Sequence, residues 1–247
     1  MNTYVLVHGA WLGSWSWDKV ARQLEQAGGK VVIPELPGHG DDQTPVSQVS
    51  LPGYVDTVVK AIEAQPGKVV LVGHSMGGIV LSMVAERIPD RISSLVYVAA
   101  YLLPSGQSVV QASQAATDSV VGANMVFAPD YSTVSIKPEA LREAFAADAS
   151  DADFEQLRTR TRPEPTGPFN TPLELTPERF GRVRRTYIKT LADRAVTPTL
   201  QDAMLAALPA AQVASLNTGH TPFLSAPDQL AAQIIALSSG APAGGGA

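Results

Sequence analysis

The stretch "KVVLVGHSMGGIV", residues 68–80, places a serine among glycines between two apolar runs. Val69 to Val72 is short, apolar and without alternation, which is typical of a strand buried on both faces. Ile79 to Ala85 continues as an apolar helical pattern. A serine in a strained turn between strand and helix needs glycine neighbours and projects its hydroxyl from the sheet edge. The pattern predicts a nucleophile elbow at Ser75, and the alternative is a glycine-rich turn with an incidental serine.

A serine hydroxyl needs a base within hydrogen-bond distance, and the chain has four histidines. In folds with such an elbow the order along the chain is serine, acid, histidine, and only His220 follows Ser75. It lies in the loop "NTGHTPFL" after a predicted strand; the alternative is a structural loop histidine. We expect His8 and His74 to fix loops by hydrogen bonds, and His39 to serve a turn or a pocket wall.

Many carboxylates lie between the serine and this histidine, and position favours Asp193. It ends "RRTYIKTLAD", directly after a predicted strand. Asp202 falls inside the next predicted helix, and the carboxylates of residues 118–178 belong to a predicted cap. The alternative for Asp193 is an exposed loop aspartate paired with Arg194.

An oxyanion hole requires two backbone N–H groups that converge on the developing charge. One should come from Met76, the residue after the serine, and the other from "VHGAWLGSW", for which we favour Ala10. Gly9 would let this backbone approach closely. The alternative is that Gly9 and Gly13 only form turns.

Short apolar runs alternate with amphipathic ones, which predicts a mostly parallel sheet flanked by helices on both faces. The predicted strands are Tyr4 to Val7, Lys30 to Ile33, Val69 to Val72, Leu95 to Ala99, Thr186 to Ile188 and Gln212 to Leu216. The predicted helices are Asp18 to Ala27, Tyr54 to Ala64, Met76 to Arg87, Pro198 to Leu208, behind a Thr197 cap, and Asp228 to Leu237.

Residues 104–181 break this alternation and predict an inserted helical cap. Ser150 to Asp153 resembles a helix capping box, and "RTRPEPTGPFNTPLELTP", residues 160–177, holds five prolines and predicts a loop that crosses the cap. The predicted organisation is an α/β core of residues 1–103 and 182–238, the cap of residues 104–181, and a flexible tail of residues 239–247 that ends in "GAPAGGGA".

Composition excludes several classes of protein. The formal net charge is −5 and no run of Lys or Arg occurs, so neither nucleic acid nor an anionic membrane is an expected partner. The chain has no cysteine, which removes disulfides and thiolate sites and favours a cytoplasmic location. No signal-like segment or stretch of 18 apolar residues is present, and no histidines have metal-ligand spacing. We therefore expect no cofactor and no metal.

Taken together, "VLVHGAWLGSWSW", "GHSMGG", "YIKTLAD" and "GHTPFLSAP" resemble the α/β-hydrolases. The resemblance spans residues 3–238 and is strongest to the branch of methyl esterases, salicylic-acid-binding esterases, hydroxynitrile lyases and many bacterial esterases. It implies an α/β-hydrolase fold without the usual first hairpin. It also implies a triad of Ser75, Asp193 and His220, with Ala10 and Met76 as oxyanion donors.

The same resemblance leaves the reaction open between ester hydrolysis and other chemistries. The lyases carry threonine where this chain has Gly9, and lysine where it has Thr221 after the histidine. Both features are absent, which favours a serine carboxylic-ester hydrolase that forms an acyl-enzyme. The alternatives are a hydroxynitrile lyase, an acyltransferase, or a non-catalytic receptor, for which a damaged triad would be the usual sign.

The expected substrate is a small, largely apolar ester, and the sequence does not say which one. A homodimer is compatible with the sequence. Six apolar or aromatic residues are candidates for the pocket wall, with ordinary core and cap packing as the alternative. These candidates are Trp11, Tyr101, Leu102, Phe127, Tyr131 and Phe223.

Overall fold

A computed structural model describes residues 2–114 and 116–239. The expected flexible tail, apart from Ser239, lies outside these residues. Nine strands and eleven α-helices alternate along the described part of the chain. In order these are β1 (Thr3–Val7), α1 (Asp18–Gln26), β2 (Lys30–Val32), α2 (Leu51–Glu63), β3 (Val69–His74), α3 (Gly77–Arg87), β4 (Ile92–Val98), α4 (Val109–Ser113), α5 (Val120–Ala123), β5 (Met125–Phe127), β6 (Thr133–Ile136), α6 (Leu141–Phe145), α7 (Asp151–Arg160), β7 (Glu164–Pro165), α8 (Gly167–Asn170), β8 (Arg185–Thr190), α9 (Pro198–Ala207), β9 (Gln212–Leu216), α10 (Pro222–Ser225) and α11 (Pro227–Ser238).

The core is a six-stranded sheet in the order β2-β1-β3-β4-β8-β9, with every neighbouring pair parallel. Strand β3 is buried along its whole length, as its unbroken apolar run predicts for a central strand covered on both faces. In a parallel sheet all carboxyl ends lie at one edge. The loops after β1, β3, β8 and β9 therefore meet there, and these loops carry the candidate site.

The helices pack against the sheet and against one another in pairs. Helix α1 contacts α11, and α2 contacts α3. Two of the core helices begin at a hydroxyl cap: the Ser50 hydroxyl accepts the Gly53 N–H at the start of α2, and the Thr197 hydroxyl accepts the Leu200 N–H at the start of α9. The predicted parallel sheet flanked by helices is confirmed, with element ends displaced by at most a few residues.

Residues between β4 and β8 leave the sheet and form a separate layer over its carboxyl edge. The layer contains helices α4 to α8, and the Ser150 hydroxyl caps α7 as expected. It also contains a three-stranded antiparallel sheet, β5-β6-β7, which the prediction of a purely helical cap missed. These strands have only two to four residues, and β7 includes Pro165, so neither period nor propensity could mark them.

Among the described residues, no helix combines the length and the apolar character that a membrane span requires.

Candidate active site

Ser75 occupies the sharp turn between β3 and α3. Its φ of 53° lies in the left-handed region, which residues with a side chain adopt rarely. A Cβ at Gly73 would lie 2.4 Å from Leu81, and one at Gly77 would lie 2.9 Å from the His8 carbonyl oxygen. The glycines of the motif are therefore required by close approach to the helix and to β1, and the turn has the geometry of a nucleophile elbow.

The Ser75 hydroxyl faces the ring of His220. The Oγ atom lies 3.1 Å from Nε2, and both side chains are buried, with 6% and 3% of their residues' surface exposed. His220 is carried by the loop between β9 and α10. The expected partner of the serine is thus within hydrogen-bond distance.

Asp193 lies on the other side of the same ring. Its Oδ2 atom is 2.8 Å from His220 Nδ1 and also accepts the Thr190 hydroxyl at 2.8 Å. Its Oδ1 atom accepts the N–H groups of Ala195 and Val196. A carboxylate can only accept, so the ring proton lies on Nδ1 and leaves Nε2 free to accept from the serine.

The alternatives for the acid do not fit this geometry. Asp193 is buried, and Arg194 pairs with Glu143 of the cap instead, at 2.8 Å. Asp202 lies within α9 and pairs with Lys189 on the surface. Of the carboxylates considered, Asp193, which follows β8, is therefore the one that reaches the histidine.

Ala10 and Met76 both border the space in front of Ser75. Within the described residues neither N–H donates to a protein acceptor, although both residues are buried. Buried N–H groups are nearly always paired, so two unpaired ones beside a nucleophile are available to a substrate oxygen. A Cβ at Gly9 would lie 2.7 Å from His74 Nδ1 and 2.9 Å from Ser75 Cβ, so the close approach expected at Gly9 is real.

A cavity of about 350 Å³ opens from this cluster beneath the cap. Most of its wall is apolar or aromatic, contributed by Ala10, Trp11, Met76, Val109, Val110, Val121, Met125, Phe127, Val134, Phe145, Phe169, Ala195 and Val196. Its remaining wall is Ser75, Tyr101, Ser113, Gln114, Gly122, Thr166, Asn170 and His220, so no Lys, Arg, Asp or Glu of the described residues lines it.

Three of the six pocket candidates line this cavity: Trp11, Tyr101 and Phe127. Contrary to expectation, the other three do not line it. Leu102 is fully buried in the core. Phe223 is also fully buried and packs edge-on against His74, behind the site. Tyr131 is 70% exposed and touches the outer side of Phe127.

The remaining histidines have structural roles. His74 Nε2 donates to the carbonyl oxygen of His220 at 2.7 Å, and burial, followed by the neighbouring His220, holds the pKa of His74 well below its usual value. His8 bonds to the Gly9 carbonyl and to the Leu36 N–H, as expected of a loop-fixing residue. His39 lies in a turn, as expected, where its N–H donates to the Leu36 carbonyl oxygen at 3.0 Å, and its ring is buried against Glu164, with 2.7 Å between Nε2 and Oε2.

Several contacts around the site had no signal in the sequence. The cap residue Phe145 packs against the His220 ring, with 5.7 Å between ring centroids, and Phe169 lines the cavity. The Asp148 carboxylate, also in the cap, accepts the Gly219 N–H at 2.7 Å, next to His220. Such contacts join segments that are far apart in the chain, so no local sequence pattern predicts them.

Comparisons with known proteins show the family to which the chain belongs. Residues 4–233 match the model of a family described as "Alpha/beta hydrolase family". Methylesterase 17 of Arabidopsis thaliana is 31% identical over 94% of this chain and 90% of that protein. Putative methylesterase 11, chloroplastic, of the same plant is 31% identical over 98% of this chain, which spans 65% of the length of that relative.

Two solved structures are similar over nearly the whole chain. The methylesterase protein MES16 from Arabidopsis superposes with a TM-score of 0.85 at 27% identity, covering 97% of this chain and 99% of the other. A pyrethroid hydrolase from Sphingobium faniae JZ-2 superposes with a TM-score of 0.88 at 26% identity, covering 96% and 97%. With the family match, these similarities establish that the chain belongs to the alpha/beta hydrolase family, in the branch that contains the methylesterases.

Proposed function

We propose that this protein is a serine carboxylic-ester hydrolase that acts on a small, largely apolar ester. The observation that carries the proposal is the hydrogen-bonded series Ser75, His220 and Asp193 at the wall of an apolar cavity. Nucleophile, base and orienting acid are arranged as acyl transfer requires. The names of the methylesterase and pyrethroid hydrolase relatives support the same class of reaction.

In the acylation step Ser75 Oγ attacks the ester carbonyl carbon while His220 Nε2 takes the hydroxyl proton. Asp193 holds the ring with its proton on Nδ1 and stabilises the imidazolium that forms. The carbonyl oxygen becomes an oxyanion between the N–H groups of Ala10 and Met76. The imidazolium then protonates the departing alkoxide, and the alcohol leaves an acyl group on Ser75.

Deacylation uses the same groups in the reverse direction. His220 removes a proton from water, the hydroxide attacks the acyl carbon, and the second oxyanion uses the same two donors. When the tetrahedral intermediate collapses, Ser75 recovers its proton from His220 and the carboxylic acid leaves. This series of steps calls for no metal or cofactor.

The cavity wall suggests which esters fit. No Lys, Arg, Asp or Glu of the described residues lines it, so a neutral ester is favoured over a charged one, and the carboxylate product gains no ion pair with such a residue that would retain it. The relatives' names suggest methyl esters or esters of pyrethroid type. A volume of about 350 Å³ limits the enclosed part of the substrate to a small group or ring system.

The lyase alternative lacks the group that it would need. The position after His220 is Thr221, whose hydroxyl donates to the Phe145 carbonyl oxygen, and none of the described cavity residues is a Lys or Arg that would stabilise a departing cyanide. Acyl transfer to an alcohol other than water would use the same acyl-enzyme. The intact geometry around Ser75 argues against a receptor without catalysis.

The domain organisation belongs to this proposal as well. Residues 104–181 would act as a cap that selects the substrate, over a core of residues 1–103 and 182–238. The cytoplasmic location expected from the absence of cysteine, and a homodimer, also stay predictions.

A panel of p-nitrophenyl and methyl esters with acyl chains from acetate to octanoate tests the proposed function. We expect release of alcohol and acid from several members by the wild-type protein, and none above background by the Ser75→Ala variant. If neither the aryl nor the methyl esters are hydrolysed, although the protein is folded, the proposal of an ester hydrolase is wrong.

A further inference from the structure

Trp11, the residue after the proposed oxyanion donor Ala10, has an unusual backbone conformation. Its φ of 60° lies in the left-handed region, which is unfavourable for a residue with a large side chain. The peptide before it, which joins Ala10 to Trp11, directly follows the peptide that carries the Ala10 N–H. The orientation of the donor therefore depends on how this neighbouring peptide is held.

Three hydrogen bonds from the cap hold Trp11 in place. Its N–H donates to Glu164 Oε2 at 2.8 Å, its carbonyl oxygen accepts the Arg162 N–H at 3.0 Å, and its indole N–H donates to the Val134 carbonyl at 2.8 Å. Of the three cap residues that bond to Trp11, only Glu164 does so through its side chain. The grip on the Ala10–Trp11 peptide can therefore be altered by substitution at one position.

Glu164 is fully buried, which is unusual for a carboxylate and requires partners. Besides the Trp11 N–H, it faces His39 Nε2 at 2.7 Å and the Tyr54 hydroxyl at 3.4 Å. The side chain belongs to β7 of the cap, whereas these three partners belong to the core. The carboxylate thus connects the cap sheet to the loop that follows β1.

We infer that Glu164 is a positioning residue for the oxyanion hole. It fixes the left-handed Trp11 peptide and thereby keeps the Ala10 N–H directed at the substrate oxygen. His39 keeps the carboxylate in a buried place by pairing with it. The inference rests on the proposed function, because it assigns Glu164 a part in that reaction without contact to the substrate.

A purely structural role for Glu164 would have a different signature. A side chain that only attaches the cap to the core would lower thermal stability or weaken substrate binding when removed. A side chain that directs an oxyanion donor instead lowers kcat and the affinity for a transition-state analogue, while KM changes little. The two roles are therefore separable by kinetics.

The test compares Glu164→Ala and Glu164→Gln with Asp153→Ala as the matched control. Asp153 also joins the cap to the core, through Lys19 at 2.6 Å, but among the described residues it makes no hydrogen bond to Ala10 or Trp11. Each variant is assayed with p-nitrophenyl acetate, with an alkyl trifluoromethyl ketone and with the corresponding non-fluorinated ketone. Ser75 Oγ adds to the fluorinated carbonyl, its proton passes to His220, and the carbonyl oxygen becomes an oxyanion. The non-fluorinated ketone binds without appreciable addition.

We expect Glu164→Ala to lower kcat about 10- to 100-fold, somewhat less than the loss of a whole oxyanion donor, with KM within about twofold. Inhibition by the trifluoromethyl ketone should weaken by the same factor, and binding of the other ketone should not change. Glu164→Gln keeps an oxygen acceptor without the charge and should lose about three- to tenfold in both quantities. Asp153→Ala should leave both within about twofold of the wild type.

The inference is overturned if kcat and the ketone inhibition stay at wild-type values in both Glu164 variants, or if KM alone rises. If Glu164→Ala does not fold, Glu164→Gln decides, and unchanged ketone inhibition in that variant overturns the inference. Failure of the proposed function is distinct, because the wild-type protein would then neither hydrolyse the ester nor bind the fluorinated ketone more tightly than the other.

Discussion

His220 Nε2 lies 3.1 Å from Ser75 Oγ although 145 positions separate the two residues in the chain. The distance follows from the sheet order, because β3, which ends directly before the serine, and β9, which precedes the histidine, are strands of one parallel sheet with their carboxyl ends at one edge. Asp193 joins them from the end of β8, the strand beside β9. The fold thus brings the three side chains together before the cap contributes anything.

The acid gives the first prediction. Asp193→Asn keeps the shape of the side chain but lets its amide donate, so the His220 ring is held with its proton on the wrong nitrogen. We expect kcat/KM for p-nitrophenyl acetate to fall by about 10³- to 10⁴-fold. The matched control Asp202→Asn removes only a surface partner of Lys189 and should retain activity within about twofold. If Asp202→Asn lowered kcat/KM more than Asp193→Asn, the assignment of Asp193 as the acid would be wrong.

Gly9 gives a prediction about close packing behind the nucleophile. Because a Cβ there would lie 2.7 Å from His74 Nδ1 and 2.9 Å from Ser75 Cβ, Gly9→Ala must displace one of these residues. We expect a loss of about 1–3 kcal/mol in the free energy of unfolding and at least a tenfold loss of kcat. At Gly67, where a Cβ meets nothing within 4 Å, the same substitution should change neither. Urea denaturation and steady-state kinetics on both variants measure these effects.

Substitution of two neighbouring aromatic residues of the cap distinguishes a role in substrate selectivity from a role in surface packing. Phe127 lines the cavity although 48% of its surface is exposed, whereas Tyr131 is 70% exposed and does not line it. Phe127→Ala enlarges the cavity and should shift the ratio of kcat/KM for octanoate and acetate esters by about tenfold or more, since contacts of methylene size are worth about 1–3 kcal/mol. Tyr131→Ala should leave the ratio within about twofold. Equal shifts in both variants would mean that the hairpin as a whole, not the Phe127 ring, sets the preference.

The buried pair of His39 and Glu164 predicts how stability depends on pH. Burial lowers the pKa of His39, but the Glu164 carboxylate outweighs it and raises the pKa above 6.5. Of the other groups near the ring, burial lowers the pKa of His8 and raises the pKa of Tyr54, and hydrogen bonds from His8 and Ser14 outweigh burial to lower the pKa of Glu35 to about 2. All three shifts move these groups away from the range between pH 6 and pH 9. Because His39 binds its proton more tightly in the folded protein than in the unfolded chain, protonation stabilises the folded state. This stabilisation is fully present below the unfolded-state pKa of about 6.5 and is lost as pH rises through the folded-state pKa.

The free energy of unfolding should therefore decline more between pH 6 and pH 9 in the wild type than in His39→Gln, which has no charge to lose. Urea denaturation of both proteins across this range measures the difference. Parallel pH dependences would contradict a charged His39 in the folded protein.

Most of the core could be predicted from the sequence because its signals are local. The apolar runs of β1 and β3, the glycines around Ser75 and the histidine after β9 each follow from residues within one short stretch. Ser75 and Asp193, two of the residues expected to form the triad, each lie within hydrogen-bond distance of the third, His220.

The cap could not be predicted to the same depth. Its sheet is built from strands too short to show a period. Whether Phe127 or Tyr131 lines the cavity depends on the hairpin between β5 and β6, in which Tyr131 has a φ of 58°, a conformation more usual for glycine or asparagine. The link between Glu164 and Trp11 spans 153 positions, and a lone glutamate among prolines carries no sign of it. The features of the cap that the sequence did not predict thus depend on long-range contacts of single side chains.

Covalent labelling of Ser75 tests the central claim most directly. A p-nitrophenyl alkylphosphonate should react with the wild-type protein once, release one equivalent of p-nitrophenol and add one phosphonyl group, which peptide mass spectrometry should assign to Ser75. Ser75→Ala should remain unlabelled with an unchanged circular dichroism spectrum and lose about 10⁴-fold or more in esterase activity. Labelling at another residue, or full esterase activity without Ser75, would contradict the account.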